Sequence, residues 1–290
     1  YRFGLFRQHF ENGYQVEQTD NWLESGYPWE TRKPEDAVEV HFGGYVDRQF
    51  KDGKLSFEHR DYQRVLAVPY EVPVVGYGGK DINVLRLWSA EPAREEFDLN
   101  AFNNGDYAGA TRARSEIEAI TWILYPQDTG PAGKALRLKQ EYFFVSAGVQ
   151  AILRRYKKLY GAAALPQLPE RVAIQTNDTH PALCGAELMR LLLDEEGLSW
   201  DQAWDITTRT CAYTNHTVMP EALETWDISL VKELLPRVYM IIEEIDRRYR
   251  EKFDQSLPNA HDKLAATAIL WDNKVRMANL SILCSHSVNG

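Results

Sequence analysis

Three polar clusters in the second half of the chain carry residue types that chemistry needs: Asn177-Asp178-Thr179-His180, Asn215-His216-Thr217 and Ser285-His286-Ser287. Asp178 and His180 lie two apart at the end of the short apolar run RVAIQTND (171–178), and His216 closes a second run, TCAYTNH (210–216). Carboxylate and imidazole side chains in that setting suit two kinds of chemistry. They are common ligands for zinc or iron. They also recognise hydroxyl-rich ligands, the carboxylate accepting and the imidazole donating or accepting. The structural alternative is capping, with Asp178 or Thr179 capping a helix that opens at Pro181 and His180 incidental. A metal triad needs a third ligand at a convincing place, and spacing alone does not supply one.

Other chemistries find little support. No G-x-S-x-G elbow occurs, and the surroundings of Ser285 do not resemble one. No P-loop or G-x-G-x-x-G is present; Gly76-Tyr77-Gly78-Gly79 reads as a turn. Cys211 and Cys284 sit in apolar, strand-like runs and read as buried core residues rather than nucleophiles. Arg154, Arg155, Lys157 and Lys158 make a basic helix end, which the helix C-terminus favours without any bound phosphate.

The clusters need strands that end where they do. From residue 171 the pattern alternates: a strand over 171–178, a helix over 181–197, a helix over 200–208 and a strand over 210–216. Val238, Ile241, Ile242, Ile245 and Tyr249 then stripe a further helix. The tail VRMANLSILCSHSVNG reads as strand-like and stops at a turn. This order predicts an α/β fold, a mainly parallel sheet with flanking helices. Ligands of such sheets bind beyond the carboxyl ends of the strands, where the clusters lie. Upstream, residues 106–124 and 134–160 are helical in pattern. The first ninety or so residues are β-rich: a hairpin around Asn12-Gly13 between RFGLF and YQVEQ, then strand-like runs at 37–46, 62–77 and 82–90. Pro69 and Pro73 predict edges or bulges for the middle of that region.

Composition narrows the class. The 290 residues carry 33 basic and 42 acidic side chains, a formal charge of −9. Such a balance gives no reason to expect nucleic acid or an anionic membrane as partner. No apolar run approaches the roughly 18 residues of a spanning helix. Three widely spaced cysteines, Cys184, Cys211 and Cys284, form no CxxC pair and suggest a reducing compartment. The Asn-x-Ser/Thr triplets at Asn177, Asn215 and Asn279 read as chance matches. Aromatics, at 12% of the chain, build cores more often than they stack on sugars.

Taken in order, LRLWSA (85–90), ILYPQD…GKALRLKQEYFF (123–144), AIQTNDTHPALCGAELMR (173–190), CAYTNHTVMPEALETW (211–226), LLPR (234–237) and ANLSILCSHSVNG (278–290) resemble the α-glucan phosphorylases. The resemblance spans essentially the whole chain. It implies the larger part of an N-terminal domain, β-rich over 1–97 and helical and α/β over 98–290. That domain is one Rossmann-like half of a two-domain GT-B-type glycosyltransferase. The C-terminal domain, whose lysine binds pyridoxal phosphate, is expected to lie outside the chain, which alone would be inactive. The implied reaction is reversible phosphorolysis of α-1,4-glucan to glucose 1-phosphate with retention, the cofactor's phosphate relaying a proton.

Carried over residue by residue, the resemblance makes His216 the histidine that holds the donor sugar's 6-hydroxyl. Asp178 and His180 match the pair at the acceptor subsite, and Asp128 matches the aspartate of a gate loop. Arg137 matches the arginine behind that loop, Val288 lines the glucose floor, and Glu221 and Glu224 belong to a second gate segment. No residue of the chain is expected to bind the cofactor or a metal. A cytoplasmic homodimer is implied, with Arg112 and Arg114 on the helix that packs across the dimer. The chain departs from the animal enzymes at Gln127-Asp128-Thr129, where they carry Asn-Asp-Asn, and at Glu243, which stands where their glycogen-storage site has an aromatic. Arg154 and Arg155 match AMP-phosphate arginines that unregulated relatives also keep. Together these imply a bacterial-type enzyme without AMP or phosphorylation control. A non-catalytic glucan-binding module and a metal-dependent hydrolase using Asp178, His180 and His216 are the alternatives.

Overall fold

Asn12 and Gly13 both adopt positive φ, 51° and 83°, the pairing that a tight two-residue hairpin demands. They join β1 (Gly4–Glu11) to β2 (Tyr14–Asp20), with Glu11 opposite Tyr14. The computed structural model describes residues 4–51, 54–94 and 96–290. Arg2 and Phe3, where the first strand was expected to open, lie outside the described residues. The chain forms two compact units, residues 1–41 with 64–147 and residues 42–63 with 148–290.

In the first unit, β3 (Thr31–Arg32), β7 (Gln63–Val75) and β4 (Val38–Phe42) share a sheet in the order β3-β7-β4, and β8 (Ile82–Pro92) also pairs with β7. The β7–β8 pairing is antiparallel and unbroken from Val65 opposite Pro92 to Val75 opposite Ile82. Pro69 therefore sits inside a central strand, contrary to its reading as an edge or bulge. Proline lacks only the N–H, and it is the Pro69 carbonyl that accepts from Lys33 N at 2.9 Å. The run 37–46, read as one strand, is broken by Gly43 and Gly44 at φ 68° and 73°. Asp98 caps α1 (Leu99–Asn103), accepting from Asn100 N and Ala101 N. Asp106 caps α2 (Tyr107–Glu118), which packs on β8. The division at residue 147 falls inside α3 (Pro131–Tyr160).

The second unit begins with the antiparallel hairpin β5 (Tyr45–Lys51) and β6 (Lys54–Arg60). After α3 come α4 (Leu168–Arg171), β9 (Ile174–Asn177), α5 (Cys184–Arg190), α6 (Trp200–Thr210) and β10 (Cys211–Thr214). Next are β11 (Thr225–Asp227), α7 (Ile228–Leu234), α8 (Pro236–Lys252) and α9 (Ala260–Thr267). Last come β12 (Leu270–Trp271), β13 (Lys274–Arg276), α10 (Met277–Leu283) and β14 (Ser287–Asn289). The tail is thus not a strand throughout. Met277, Leu280, Ser281 and Cys284 are buried at a spacing of three and four, which a helix satisfies and a strand does not.

The fold is mixed α/β built from several small sheets. β14, β10 and β9 pair in parallel in that order, while β11, β13 and β12 form an antiparallel sheet. α5 packs against α6 and α8, burying Leu188, Met189, Ile206, Ile241 and Ile242. Arg237 is 7% exposed at the start of α8, gives Asp194 two hydrogen bonds of 2.7 Å, and lies 3.9 Å from the Phe57 ring centroid. Asp246, 4% exposed, accepts from Arg250 Nε at 2.6 Å and from the amides of Ile269 and Leu270 at 2.8 and 3.2 Å, tying α8 to β12. No helix among the described residues is long and apolar enough to cross a membrane.

Candidate functional site

Strand register brings two of the three clusters level. Thr214 of β10 faces Asn177 of β9 on one side and Asn289 of β14 on the other. Backbone pairing continues past the strands, with Asp178 N donating to Thr214 O and Asn215 N to Asn289 O, each at 2.8 Å. His286 N donates to Cys211 O at 3.0 Å, which sets the entry to β14.

Asp178 has φ 65°, in the left-handed region where aspartate is among the better tolerated side chains. That turn brings its carboxylate to Thr179 N at 2.8 Å and to the Thr217 hydroxyl, which lies 3.4 Å from both oxygens. Capping is not what Asp178 and Thr179 do. The helix begins only at Cys184, and its N-cap residue, Leu183, makes no side-chain hydrogen bond. Asn215 holds the next turn: its Oδ1 accepts from Thr217 N and Tyr213 Oη, both at 3.2 Å, and its Nδ2 donates to Thr217 O at 3.0 Å. Tyr213 is 1% exposed. Burial, and then the carboxylates of Asp178 and Glu224, push its phenol up, so it remains a neutral donor. His216 contacts the Asn177 side-chain oxygen through Nε2.

Of the residues singled out from sequence, Asp178, His216 and Val288 gather at these strand ends. Val288 is half exposed and pairs with Tyr213 across the sheet. His180 Nδ1 lies 4.0 Å from Glu224 Oε2, a pair that is ionic only when the histidine is protonated. Glu221 lies exposed in the short turn Pro220–Ala222. Asp128 and Arg137 belong to the first unit, Arg137 Nη1 donating to Asp128 Oδ2 at 3.4 Å with its guanidinium 5.5 Å from the Tyr125 ring centroid. Asp178, His180 and His216 do not converge as a set of metal ligands. What the strand ends offer is a carboxylate, a ring nitrogen, amides and hydroxyls, a surface able to donate to and accept from a polyhydroxylated ligand.

Sequence reading missed two features. Tyr213 joins the network from inside the core, and Asn177 meets His216 across 39 positions, a contact that only strand register reveals. A separate cavity of about 1110 Å³ in the second unit is lined by Phe57, Trp200, Arg237, Glu243 and Arg247 among others, and by none of the strand-end residues.

The carbohydrate phosphorylase family profile matches residues 1–290. The human muscle form of glycogen phosphorylase is 45% identical over 299 aligned residues, covering the whole of this chain. The mouse brain form is 46% identical and the sheep muscle form 44% over the same length. The chain spans 35% of the length of these relatives.

Proposed function

The chain belongs to the carbohydrate phosphorylase family, and from that membership we propose that it is an N-terminal catalytic-domain portion of an α-1,4-glucan phosphorylase. Within that reading, residues 1–97 are the β-rich part and 98–290 the helical and α/β part of one Rossmann-like half of a two-domain GT-B-type enzyme. Phosphate cleaves the terminal α-1,4-glucosyl unit, a phosphate oxygen bonds to C1 with retention, and the glycosidic oxygen leaves protonated. The observation that carries the proposal is the 45% identity to glycogen phosphorylase along the entire chain.

Asp178 is then a fixed acceptor, oriented by Thr179 N and Thr217 before any sugar arrives. Together with His180 it takes the acceptor sugar. His216 holds the donor sugar's primary hydroxyl beside Val288, and its carbonyl lies near the charge that develops on an oxocarbenium-like transition state. Asp128 belongs to a gate loop with Arg137 behind it, and Glu221 and Glu224 belong to a second gate segment. Pyridoxal phosphate supplies its phosphate as a proton relay when bound. The three strand-end clusters contain no lysine, so they offer no amine to hold it, and the cofactor's lysine belongs to the C-terminal half. The intact subunits form a cytoplasmic homodimer without AMP or phosphorylation control.

The test is glucose 1-phosphate formation from maltoheptaose and phosphate. The longer protein should form it and the 290-residue chain should not. A longer protein that binds maltoheptaose yet forms none would overturn the proposal.

A further inference from the structure

His216 works, on the reading above, by meeting a ligand hydroxyl, and what it can do there depends on which ring nitrogen carries the proton. Neutral imidazole has one donor and one acceptor, and the partner of one nitrogen decides the role of the other. Nε2 of His216 contacts Oδ1 of Asn177, and a carboxamide oxygen only accepts. Nε2 must therefore carry the hydrogen, leaving Nδ1 with a free lone pair. Among the described residues Nδ1 has no hydrogen-bond partner, so it is available to a ligand.

We infer that Asn177 is the positioning residue of His216. It fixes the ring's orientation and its Nε2–H tautomer, so that Nδ1 presents an acceptor rather than a donor to the bound sugar. Three features make the contact a built one. Asn177 is the last residue of β9, and its Cα is in register with Thr214, two positions before His216. The backbone hydrogen bond from Asp178 N to Thr214 O locks the two strand ends immediately beside it. Gln175 Nε2, on the same strand, donates to Thr214 Oγ1 at 2.8 Å, so side chains join β9 to β10 both before and at the strand end. The primary hydroxyl assigned to His216 is then recognised as a proton donor, and its acceptor lone pairs are left for other groups. A glucan whose terminal sugar carries fluorine in place of that hydroxyl cannot donate, and it should lose as much kcat/KM as the 6-deoxy sugar.

The inference rests on the phosphorylase reading only for the identity of the ligand, and its primary test needs no substrate. Histidine-labelled 290-residue protein is followed by long-range nitrogen–proton NMR across a pH titration, with His216→Gln assigning the signal. His216 should be in the Nε2–H form above its pKa. Asn177→Ala should lower the tautomer preference roughly three- to tenfold, the worth of about one hydrogen bond. Asn177→Asp, nearly isosteric and the variant to use should alanine disturb folding, should raise the imidazole pKa by about one unit or more, because a carboxylate favours the charged ring. An Nδ1–H ring in the wild type overturns the assignment. So does an Asn177→Ala protein with an unchanged tautomer ratio, or an Asn177→Asp protein with an unchanged pKa. A longer enzyme that forms no glucose 1-phosphate overturns the functional reading while leaving the tautomer result standing.

Discussion

Removing the Asp246 carboxylate should cost the second unit a large share of its stability. Its carboxylate is 4% exposed and accepts three hydrogen bonds, from Arg250 Nε and from the amides of Ile269 and Leu270. Ile269 is fully buried, so its N–H has no water to turn to when the carboxylate goes. A hydrogen bond to a charged group contributes about 1.5–3 kcal/mol, and neighbouring bonds share their worth rather than adding in full. Arg250, about a third exposed, can turn to water when the carboxylate goes, so the loss rests mainly on the two amides left without an acceptor and on one charged hydrogen bond. Together these put Asp246→Ala at roughly 3–5 kcal/mol. At about 2–4 °C per kcal/mol for a unit of this size, Tm should fall by roughly 6–20 °C. Asp246→Asn keeps an oxygen for the two amides but turns an NH2 towards Arg250 Nε, losing that hydrogen bond and its charge attraction at a partly exposed partner, so it should cost about 1–2 kcal/mol. Urea unfolding measures both, provided the m value is unchanged. The reasoning is refuted if alanine costs under about 1 kcal/mol, or if asparagine costs as much as alanine.

Other expectations follow from single contacts. A Cβ on Gly185 would sit 2.5 Å from Cys284 Cβ and 2.6 Å from its Sγ, so Gly185→Ala should destabilise by about 1–3 kcal/mol. Both atoms belong to the Cys284 side chain, so urea midpoints should show that cost largely relieved in Gly185→Ala/Cys284→Gly, measured against Cys284→Gly alone, and an unrelieved double variant would rule out this clash as its origin. Cys184 and Cys284 are buried with their thiols pushed up, the first by its contact with Cys211 and then by burial, the second by burial. A disulfide reagent should leave both unlabelled in the native protein and label them on unfolding; rapid native labelling contradicts this. Glu244 is lowered from 4.5 to about 2 by Arg247 and then Arg248, against the opposing effect of burial. A depressed carboxylate stabilises above its unfolded pKa and loses that contribution as pH falls through its folded one. Stability should therefore drop between about pH 4.5 and about 2, and Glu244→Gln should flatten that limb of the denaturation midpoint against pH.

Elements were legible where one local rule decided them. Asn12-Gly13 announced its hairpin, and the stripe from Val238 to Tyr249 announced α8, because period and turn chemistry act within a few residues. The tail misled because Met277–Leu283 is apolar nearly throughout, so periodicity does not separate a buried helix from a strand. Pro69 misled because the rule concerns the missing N–H, and its carbonyl is what the sheet uses. At the candidate site, the residue types and their position after short apolar runs were legible. The partnerships were not, since Asn177 with His216 and Asp178 with Thr217 depend on which strands lie side by side.

The hairpin β5–β6 carries a timing problem into synthesis. Phe57 lies against Arg237, and Gly43 N donates to the carbonyl of Leu234 at 2.8 Å, so a segment made early finds its partners about 180 residues later. At about 5–20 residues per second the ribosome takes roughly 10–40 s to cover that distance. Throughout that interval the hairpin is outside the tunnel without the helix that shelters Phe57, while the flanking residues 1–41 and 64–147 already have what they need to assemble. A nascent chain stalled before residue 236 should therefore hold a folded first unit with an unsheltered β-ribbon looped out of it. That ribbon is where a chaperone would be expected to bind.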